Sequence, residues 1–143
     1  MREILFRGKR KDSGKWIEGA YFKHEPLCVC FSQEKQPDKH LIVFDGFCDW
    51  GFEPPIKCVE VIPESIGEYT GLTDKNGTKI FEGDIVEGNR LGGIHRYQIC
   101  YDKGLARFIG LRGTGYTKFT YDSDAFEIIG NVYDNPELLK ERE

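Results

Sequence analysis

The chain has no long run of apolar residues. The longest stretch of aliphatic and aromatic side chains, Leu41-Ile-Val-Phe44, is only as long as a β-strand, whereas a membrane helix needs about 20 apolar residues. The first seven residues carry charges from Arg2 onward, a pattern that excludes a secretory signal. We therefore expect the protein to reside in the cytoplasm.

The sequence also lacks a cysteine pattern that would indicate a set of disulfides or a Cys-x-x-Cys site. Its five cysteines cannot all pair within one chain, and no two of them form Cys-x-x-Cys. This pattern is typical of reduced thiols that serve as small apolar residues. Cys28 and Cys30 share one face of a predicted strand, close in sequence to His24 and His40, but a Cys-x-Cys pair on one strand is a poor tetrahedral chelate. We favour buried thiols over a metal site.

Recognisable catalytic patterns are missing as well. No Ser or Cys lies at a sequence spacing from the three histidines that would indicate a catalytic pair. No nucleophile-elbow motif occurs either. Gly113-Thr-Gly115 lacks the strand and helix context of a phosphate-binding loop. Asp74, Glu82, Asp84 and Glu87 surround two turns, where short acidic side chains commonly stabilise the bend. The sequence predicts no enzyme activity, no metal and no cofactor.

Excess positive charge is absent, because the net charge is −4 and the pI is near 5.5. This argues against a dedicated nucleic-acid binder, whose affinity comes mainly from phosphate neutralisation. The distribution is uneven: residues 1–23 hold seven cations and three carboxylates, so they carry +4 and the remainder carries −8. This basic hairpin is either a solvated face or a contact for an acidic partner or a second copy.

What the sequence does contain is short strands separated by Gly and Asp turns. In the most informative stretch, residues 69–86, an Asn76-Gly77 pair predicts a hairpin turn with positive φ angles. Ile80-Phe81 then predicts a strand, Glu82-Gly83-Asp84 a turn, and Ile85-Val86 the next strand. Further strands are predicted at residues 2–8, 15–23, 27–31, 41–44, 56–62, 95–101, 106–111, 118–121 and 126–133.

These elements predict an all-β, mainly antiparallel fold with strongly bent sheets. Pro63 marks the best boundary, which divides the chain into an N-terminal β subdomain at 1–62 and a C-terminal SH3-like barrel at 63–143. Asn135 as N-cap, followed by Pro136, predicts a short C-terminal helix.

The motifs together resemble the YopX family of phage and prophage proteins. The resemblance is carried by the following segments: Arg2-Glu-Ile-Leu-Phe-Arg-Gly8, Trp16-Ile-Glu-Gly19, Pro63-Glu-Ser-Ile-Gly-Glu-Tyr-Thr-Gly-Leu72, Asp74-Lys-Asn-Gly77, Ile80-Phe-Glu-Gly-Asp-Ile-Val86 and Glu127-Ile-Ile-Gly-Asn-Val-Tyr-Asp-Asn-Pro-Glu-Leu-Leu139. It implies a β-rich fold similar to SH3-type barrels and a phage or prophage origin in a bacterial cytoplasm. It brings no catalytic residues.

Exposed aromatic residues beside basic ones are the best candidates for a binding surface. They fall in an aromatic loop and on the C-terminal strands: Phe47, Trp50, Phe52, Arg96, Tyr97, Arg107, Tyr116 and Lys118. Small barrels bind peptides or single strands through such surfaces, although the same aromatics can fill the core. We expect a non-enzymatic interaction protein with a protein partner. A nucleic-acid-binding module that uses residues 96–121 and the basic N-terminal hairpin is the alternative, and self-association through strand edges is a further option.

Overall fold

The structure is a computed structural model with antiparallel β-sheets. It describes residues 1–26, 36–48, 51, 53–90, 92–113, 115–118 and 125–140, with the backbone alone at 90 and 115–118. The chain forms two compact units. The N-terminal unit is Leu5–Ile66, and the C-terminal unit combines Met1–Ile4 with Gly67–Glu143. The prediction divided the chain once, after Ile62.

The N-terminal unit is built from four antiparallel strands in chain order: β1 (Phe6–Lys9), β2 (Trp16–His24), β3 (Lys39–Asp45) and β4 (Ile56–Glu60). Beyond β1, Arg10 forms a bridge with Val61, and the backbone N–H of Lys11 donates to the carbonyl of Glu60. The ends of the first and last strands therefore pair, so the sheet closes on itself at one end.

A small core lies inside this unit. Ile42 and Val61 are fully buried. Ser65, in the 3-10 turn Pro63–Ser65, accepts a hydrogen bond from the Lys9 N–H at 2.7 Å and donates one to the Ile62 carbonyl at 2.6 Å. This buried hydroxyl holds the turn against β1, since it satisfies backbone groups that the strand pairing leaves over.

The C-terminal unit contains a hairpin and a larger sheet. The hairpin pairs β5 (Gly67–Thr73) with β6 (Lys79–Phe81). The sheet has the order β10-β9-β8-β7-β11, formed by β7 (Asp84–Arg90), β8 (Gly93–Asp102), β9 (Arg107–Arg112), β10 (Gly115–Lys118) and β11 (Phe126–Asn131).

The core of this unit lies on the inner face of the five-stranded sheet. Its buried cluster is Ile80, Val86, Tyr97, Ile99 and Phe126, and Leu72 and Ile128 pack against it. Tyr97 meets the Phe126 ring edge-on, with centroids 5.8 Å apart, a favourable geometry for aromatic pairs. Because side chains alternate along a strand, burying Tyr97 and Ile99 places Arg96 and Gln98 of β8 on the outer face.

The predicted turn at Asn76-Gly77 is confirmed, but its geometry differs in one respect. Gly77 has φ +80°, whereas Asn76 does not adopt a positive φ. The buried carboxylate of Asp74 organises the loop: Oδ1 accepts from the N–H groups of Asn76 and Thr78 at 2.9 Å each, and Oδ2 accepts from Ile128 N–H at 3.2 Å. Asp74 thus ties the hairpin turn to β11.

The next turn, Glu82-Gly83, is also stabilised by a buried carboxylate. Asp84 is 1% exposed, and its Oδ2 accepts from the Phe81 N–H at 2.8 Å. Gly83 between them has φ +87°, a conformation that favours glycine. Both acidic residues stabilise turns, in agreement with the structural interpretation of the sequence.

A 3-10 turn, Pro136–Leu139, lies near the C-terminal end of the described residues. Asn135 is its N-cap residue and Pro136 lies in its first turn, as predicted, but the Asn135 side chain makes no capping hydrogen bond. This side chain lies over Gly130 instead. The all-β prediction is confirmed by the sheets, while the SH3-like barrel stays a prediction. The strand predicted at 27–31 lies outside the described residues.

Candidate functional site

A groove runs along the outer face of the five-stranded sheet in the C-terminal unit. It has a volume of about 740 Å³. One side is formed by the sheet and the other by the C-terminal 3-10 turn. The described residues that line it are Glu87, Ile94, His95, Arg96, Gln98, Leu111, Arg112, Gly113, Leu138, Leu139 and Lys140. We call this surface the sheet groove.

Arg96, a predicted binding residue, fixes one wall of the sheet groove. Its Nε donates to Glu87 Oε2 at 2.9 Å, and a terminal guanidinium nitrogen donates to the Leu138 carbonyl at 3.3 Å. Glu87 and Arg96 are directly paired across β7 and β8. Arg96 therefore joins the sheet to the C-terminal turn through two of its guanidinium nitrogens.

The lining combines aliphatic side chains with positive charge. Ile94 is 70% exposed, and Leu111, Leu138 and Leu139 are half-buried. Three cations, Arg96, Arg112 and Lys140, and one carboxylate leave the lining with a net charge of +2 when His95 is neutral. This differs in sign from the whole chain at −4. The groove is thus a local basic, apolar surface on an acidic protein.

The other predicted residues on these strands lie in different places. Tyr97 is in the core and 7% exposed. Arg107 pairs with Asp102 across β8 and β9, and its Nε is buried without a hydrogen-bond partner among the described groups. The backbone of Tyr116 is opposite Leu111 and that of Lys118 opposite Ile109; their side chains are outside the description.

The predicted aromatic loop is only partly described. Phe47 is 83% exposed and borders a second groove, of about 630 Å³, in the N-terminal unit. Trp50 and Phe52 lie outside the described residues. This second groove has mixed charge, since its lining includes Arg10, Lys11, Asp12, Phe44, Lys57 and Glu60.

Cations of the basic N-terminal hairpin are paired within the N-terminal unit. Arg10 binds Asp12 at 2.7 Å and Lys11 binds Glu60 at 2.5 Å. Lys23 contacts Glu25 at 2.8 Å, and this hydrogen bond raises the pKa of the lysine. These ion pairs partly neutralise the hairpin, which makes it a weaker attractor for polyanions than its sequence charge indicates.

The groups that a metal site would need are dispersed in the described part of the chain. No three His, Cys, Asp or Glu side chains there are close enough to hold an ion. His40 Nδ1 is 2.8 Å from the hydroxyl of Tyr21, which occupies one ring nitrogen. Cys48, Cys58 and Cys100 are thiols, with Cys58 exposed; Cys28 and Cys30 lie outside the described residues.

Sequence reasoning identified Arg96 but missed the aliphatic half of the sheet groove. Leu138 and Leu139 were assigned to the C-terminal helix alone, and Ile94 fell just before a predicted strand. The available signal was the exposed Ile94 next to Gly92-Gly93, but only the fold brings it near residues 138–140.

No helix in the described ranges is long and apolar enough to cross a membrane. The fold is that of an antiparallel all-β protein with two units, and the C-terminal unit carries an open groove on its sheet. Comparison with known families then assigns the chain. A family model described as YopX protein matches residues 5–140, and the chain belongs to the YopX family.

A solved structure has the same fold. The crystal structure of protein EF1440 from Enterococcus faecalis is 23% identical, covers 98% of this chain and 100% of its own, and has a TM-score of 0.55. At this identity the likeness concerns the fold alone. No curated protein matches this chain.

Proposed function

We propose that this chain is a non-enzymatic interaction protein, encoded by a phage or prophage, that binds a host or phage protein in the bacterial cytoplasm. The observation that carries the proposal is the sheet groove, an open concave surface that exposes aliphatic side chains within a positively charged rim. Exposed apolar patches rimmed by polar groups are typical of protein-binding surfaces. The phage origin and the bacterial cytoplasm follow from what the YopX resemblance implies.

A protein partner is favoured over a nucleic acid by the chemistry of the lining. Single-stranded nucleic acids bind by stacking bases on aromatic rings. The described lining of the sheet groove contains no Phe, Tyr or Trp, and Tyr97 and Phe108 are buried at 7% and 8% exposure. The overall charge of −4 further disfavours a polyanion.

A non-enzymatic role is supported by how the carboxylate of the described lining is engaged. Glu87, the carboxylate of the described lining, is hydrogen-bonded to Arg96. A general base needs a positioned, available acceptor within reach of its substrate. The groove is better suited to holding an aliphatic chain than to moving a proton.

Capture from bacterial lysate tests this proposal. The chain is immobilised, and the lysate is applied with and without nuclease. We expect a protein that is retained after nuclease treatment and that is lost with Ile94→Ser but not with Leu105→Ser. Leu105 is 50% exposed in the turn between β8 and β9 and does not line the groove, so it controls for the loss of an exposed aliphatic side chain.

Nuclease-sensitive capture would support the nucleic-acid alternative instead. Retention that falls steeply with added salt, roughly in proportion to the number of phosphates contacted, would point the same way. Absence of any specific capture by the wild-type chain would contradict both binding functions.

A further inference from the structure

We propose that Asn76-Gly77 is a site of spontaneous covalent modification, at which Asn76 loses its side-chain nitrogen and becomes aspartate or isoaspartate, and that the turn held by Asp74 sets the rate. The inference goes beyond the proposed function and does not depend on it. It rests on two observations. The one Asn-Gly pair of the chain lies in an exposed turn, and the nitrogen that would attack is held by a hydrogen bond to Asp74.

The reaction needs only the groups of the pair itself and water. The backbone nitrogen of Gly77 attacks Cγ of Asn76, so that an N–Cγ bond forms and the Cγ–Nδ2 bond breaks. Nδ2 leaves as ammonia and takes with it the proton that the Gly77 nitrogen releases. Water then opens the resulting succinimide ring at either of its carbonyls. One opening gives aspartate and the other gives isoaspartate.

The residue that follows each asparagine separates this site from the other three asparagines of the chain. Gly77 has no Cβ, so its nitrogen is little hindered. Asn89 precedes an arginine and Asn131 a valine, whose side chains crowd the attacking nitrogen, and Asn135 precedes a proline, whose nitrogen carries no hydrogen. Asn76 and Gly77 are also both exposed, so water reaches the ring once it has formed.

The folded turn restrains the attacking nitrogen. The Gly77 N–H donates to the Asp74 carbonyl at 2.9 Å, which is the hydrogen bond that closes a β-turn. Attack on Cγ requires this nitrogen to rotate and release its proton, so the hydrogen bond must first break. The Asp74 carboxylate holds the same turn, because its Oδ1 accepts from the N–H groups of Asn76 and Thr78 at 2.9 Å each. The reaction therefore requires local opening of the turn, which costs less free energy than global unfolding.

Modification should loosen the turn that it starts from. The Asn76 amide donates to Glu127 Oε1 at 3.5 Å, whereas both products carry a carboxylate that adds a like charge near Glu127. Isoaspartate also lengthens the main chain by one carbon. This displaces the N–H groups of Gly77 and Thr78 from their acceptors on Asp74. The contact between the hairpin turn and β11 should therefore weaken as the protein ages.

Peptide mapping by mass spectrometry tests the site. The purified chain is incubated at mildly alkaline pH, once in its native state and once unfolded in guanidinium chloride, and conversion of each asparagine is followed with time. We expect conversion at Asn76 and none at Asn89 or Asn131 over the same period. The native chain should convert at least about tenfold more slowly than the unfolded chain, because only the open turn reacts.

A matched pair of variants tests the role of the turn. Asp74→Ala removes the acceptor for the N–H groups of Asn76 and Thr78, so conversion in the native chain should be at least about fivefold faster than in the wild type. Ile99→Val removes a buried methylene from the core of the same unit but no hydrogen bond of the turn, and its rate should stay within about twofold of the wild type. Asp74→Asn, which keeps one acceptor oxygen, should be intermediate and serves where Asp74→Ala does not fold.

Three outcomes would overturn the inference. The first is an unfolded chain in which Asn76 converts no faster than Asn89. The second is an equal rate in the native and unfolded chains, which would show that the turn gives no restraint. The third is an acceleration in Ile99→Val as large as in the Asp74 variants, which would assign the reaction to global unfolding. The proposed function stands or falls separately, since the sheet groove is lined by other residues.

Discussion

The two units differ in how far their sheets are closed or covered. In the N-terminal unit the strand ends pair through Arg10 and Val61, so the sheet closes at one end and its nearby cations form ion pairs. In the C-terminal unit, β10 and β11 are the two edges of the five-stranded sheet among the described strands, and a groove lies between the outer face of this sheet and the 3-10 turn. The difference indicates that an available surface arises where a sheet is incompletely covered.

The core of the C-terminal unit depends on a close approach at Gly88. A Cβ on this residue would overlap the Phe126 ring, which is 2% exposed. We expect Gly88→Ala to lower the free energy of unfolding by about 2–4 kcal/mol, because the ring must shift within a packed core. Urea unfolding followed by far-UV circular dichroism measures this.

Gly93→Ala is the matched control for this change. Its Cβ would lie 3.4 Å from the nearest His95 ring atom, an ordinary contact, so we expect less than about 1 kcal/mol. Equal stabilities of the two variants would show that the core near Gly88 adapts, and would weaken the contrast between packed inner and open outer faces.

Removing the Asp74 carboxylate should have a similarly large effect on stability. Asp74→Ala leaves the N–H groups of Asn76, Thr78 and Ile128 without their acceptor. We expect a loss of about 2–4 kcal/mol, since unsatisfied buried donors cost about 1–3 kcal/mol each and water regains part of them. Thr78→Ala, an exposed position in the same turn, controls for local propensity in the same urea titration.

Acid should destabilise the protein partly by protonating Asp74. Burial raises the pKa of Asp74, but the three backbone N–H donors outweigh it and hold the pKa below the ordinary value of 3.8. The stabilisation is therefore complete above about pH 4 and is lost as the pH falls through the lowered pKa. Between pH 7 and pH 3, Asp74→Asn should lose less stability than the wild type. An identical loss in both would contradict this assignment.

Breaking the Arg96 contact should open the wall of the sheet groove at a modest cost. Arg96→Met removes the hydrogen bonds to Glu87 and the Leu138 carbonyl while keeping an aliphatic stem. We expect about 1 kcal/mol of destabilisation and faster amide hydrogen exchange at residues 136–140. Arg96→Lys keeps the charge beside Glu87 and should show an intermediate exchange rate. Unchanged exchange in Arg96→Met would show that Leu138 and Leu139 are held by packing alone.

An effect as small as that of Arg96→Met is expected in the N-terminal unit. Tyr21→Phe removes the hydrogen bond to His40 at 2.8 Å but keeps the ring, which packs 5.5 Å from that of Phe6. A loss of about 0.5–1.5 kcal/mol is expected. Both tryptophans, Trp16 and Trp50, belong to this unit, so tryptophan emission during urea unfolding reports on it. A loss as large as that of Asp74→Ala would mean that the two units rely equally on buried polar contacts.

Local turn chemistry made much of the fold predictable. Gly77 and Gly83 adopt the positive φ angles expected at turns, and in β8 the buried Tyr97 and Ile99 alternate with Gln98, as the strand pattern predicts. Contacts between distant residues were not predictable. The Arg10–Val61 bridge and the bond from Ile128 to Asp74 each join segments about fifty residues apart, and no local pattern encodes them.

The sheet groove illustrates the same limit. Arg96 was identified as basic and close to aromatics, yet its neighbour Tyr97 turned into the core because period-2 alternation sends adjacent side chains to opposite faces. The aliphatic lining comes from three separate segments of the chain. Only folding brings Ile94, Leu111 and Leu138 together, so their shared role could not be read from spacing.

Hydrogen–deuterium exchange of the chain, alone and loaded with its captured partner, tests the central claim most directly. If the sheet groove is the binding surface, the partner should slow exchange at residues 136–140 and at the ends of β8 and β9, and leave Leu5–Ile66 unchanged. Protection confined to Leu5–Ile66 would place binding on the N-terminal unit and contradict the account.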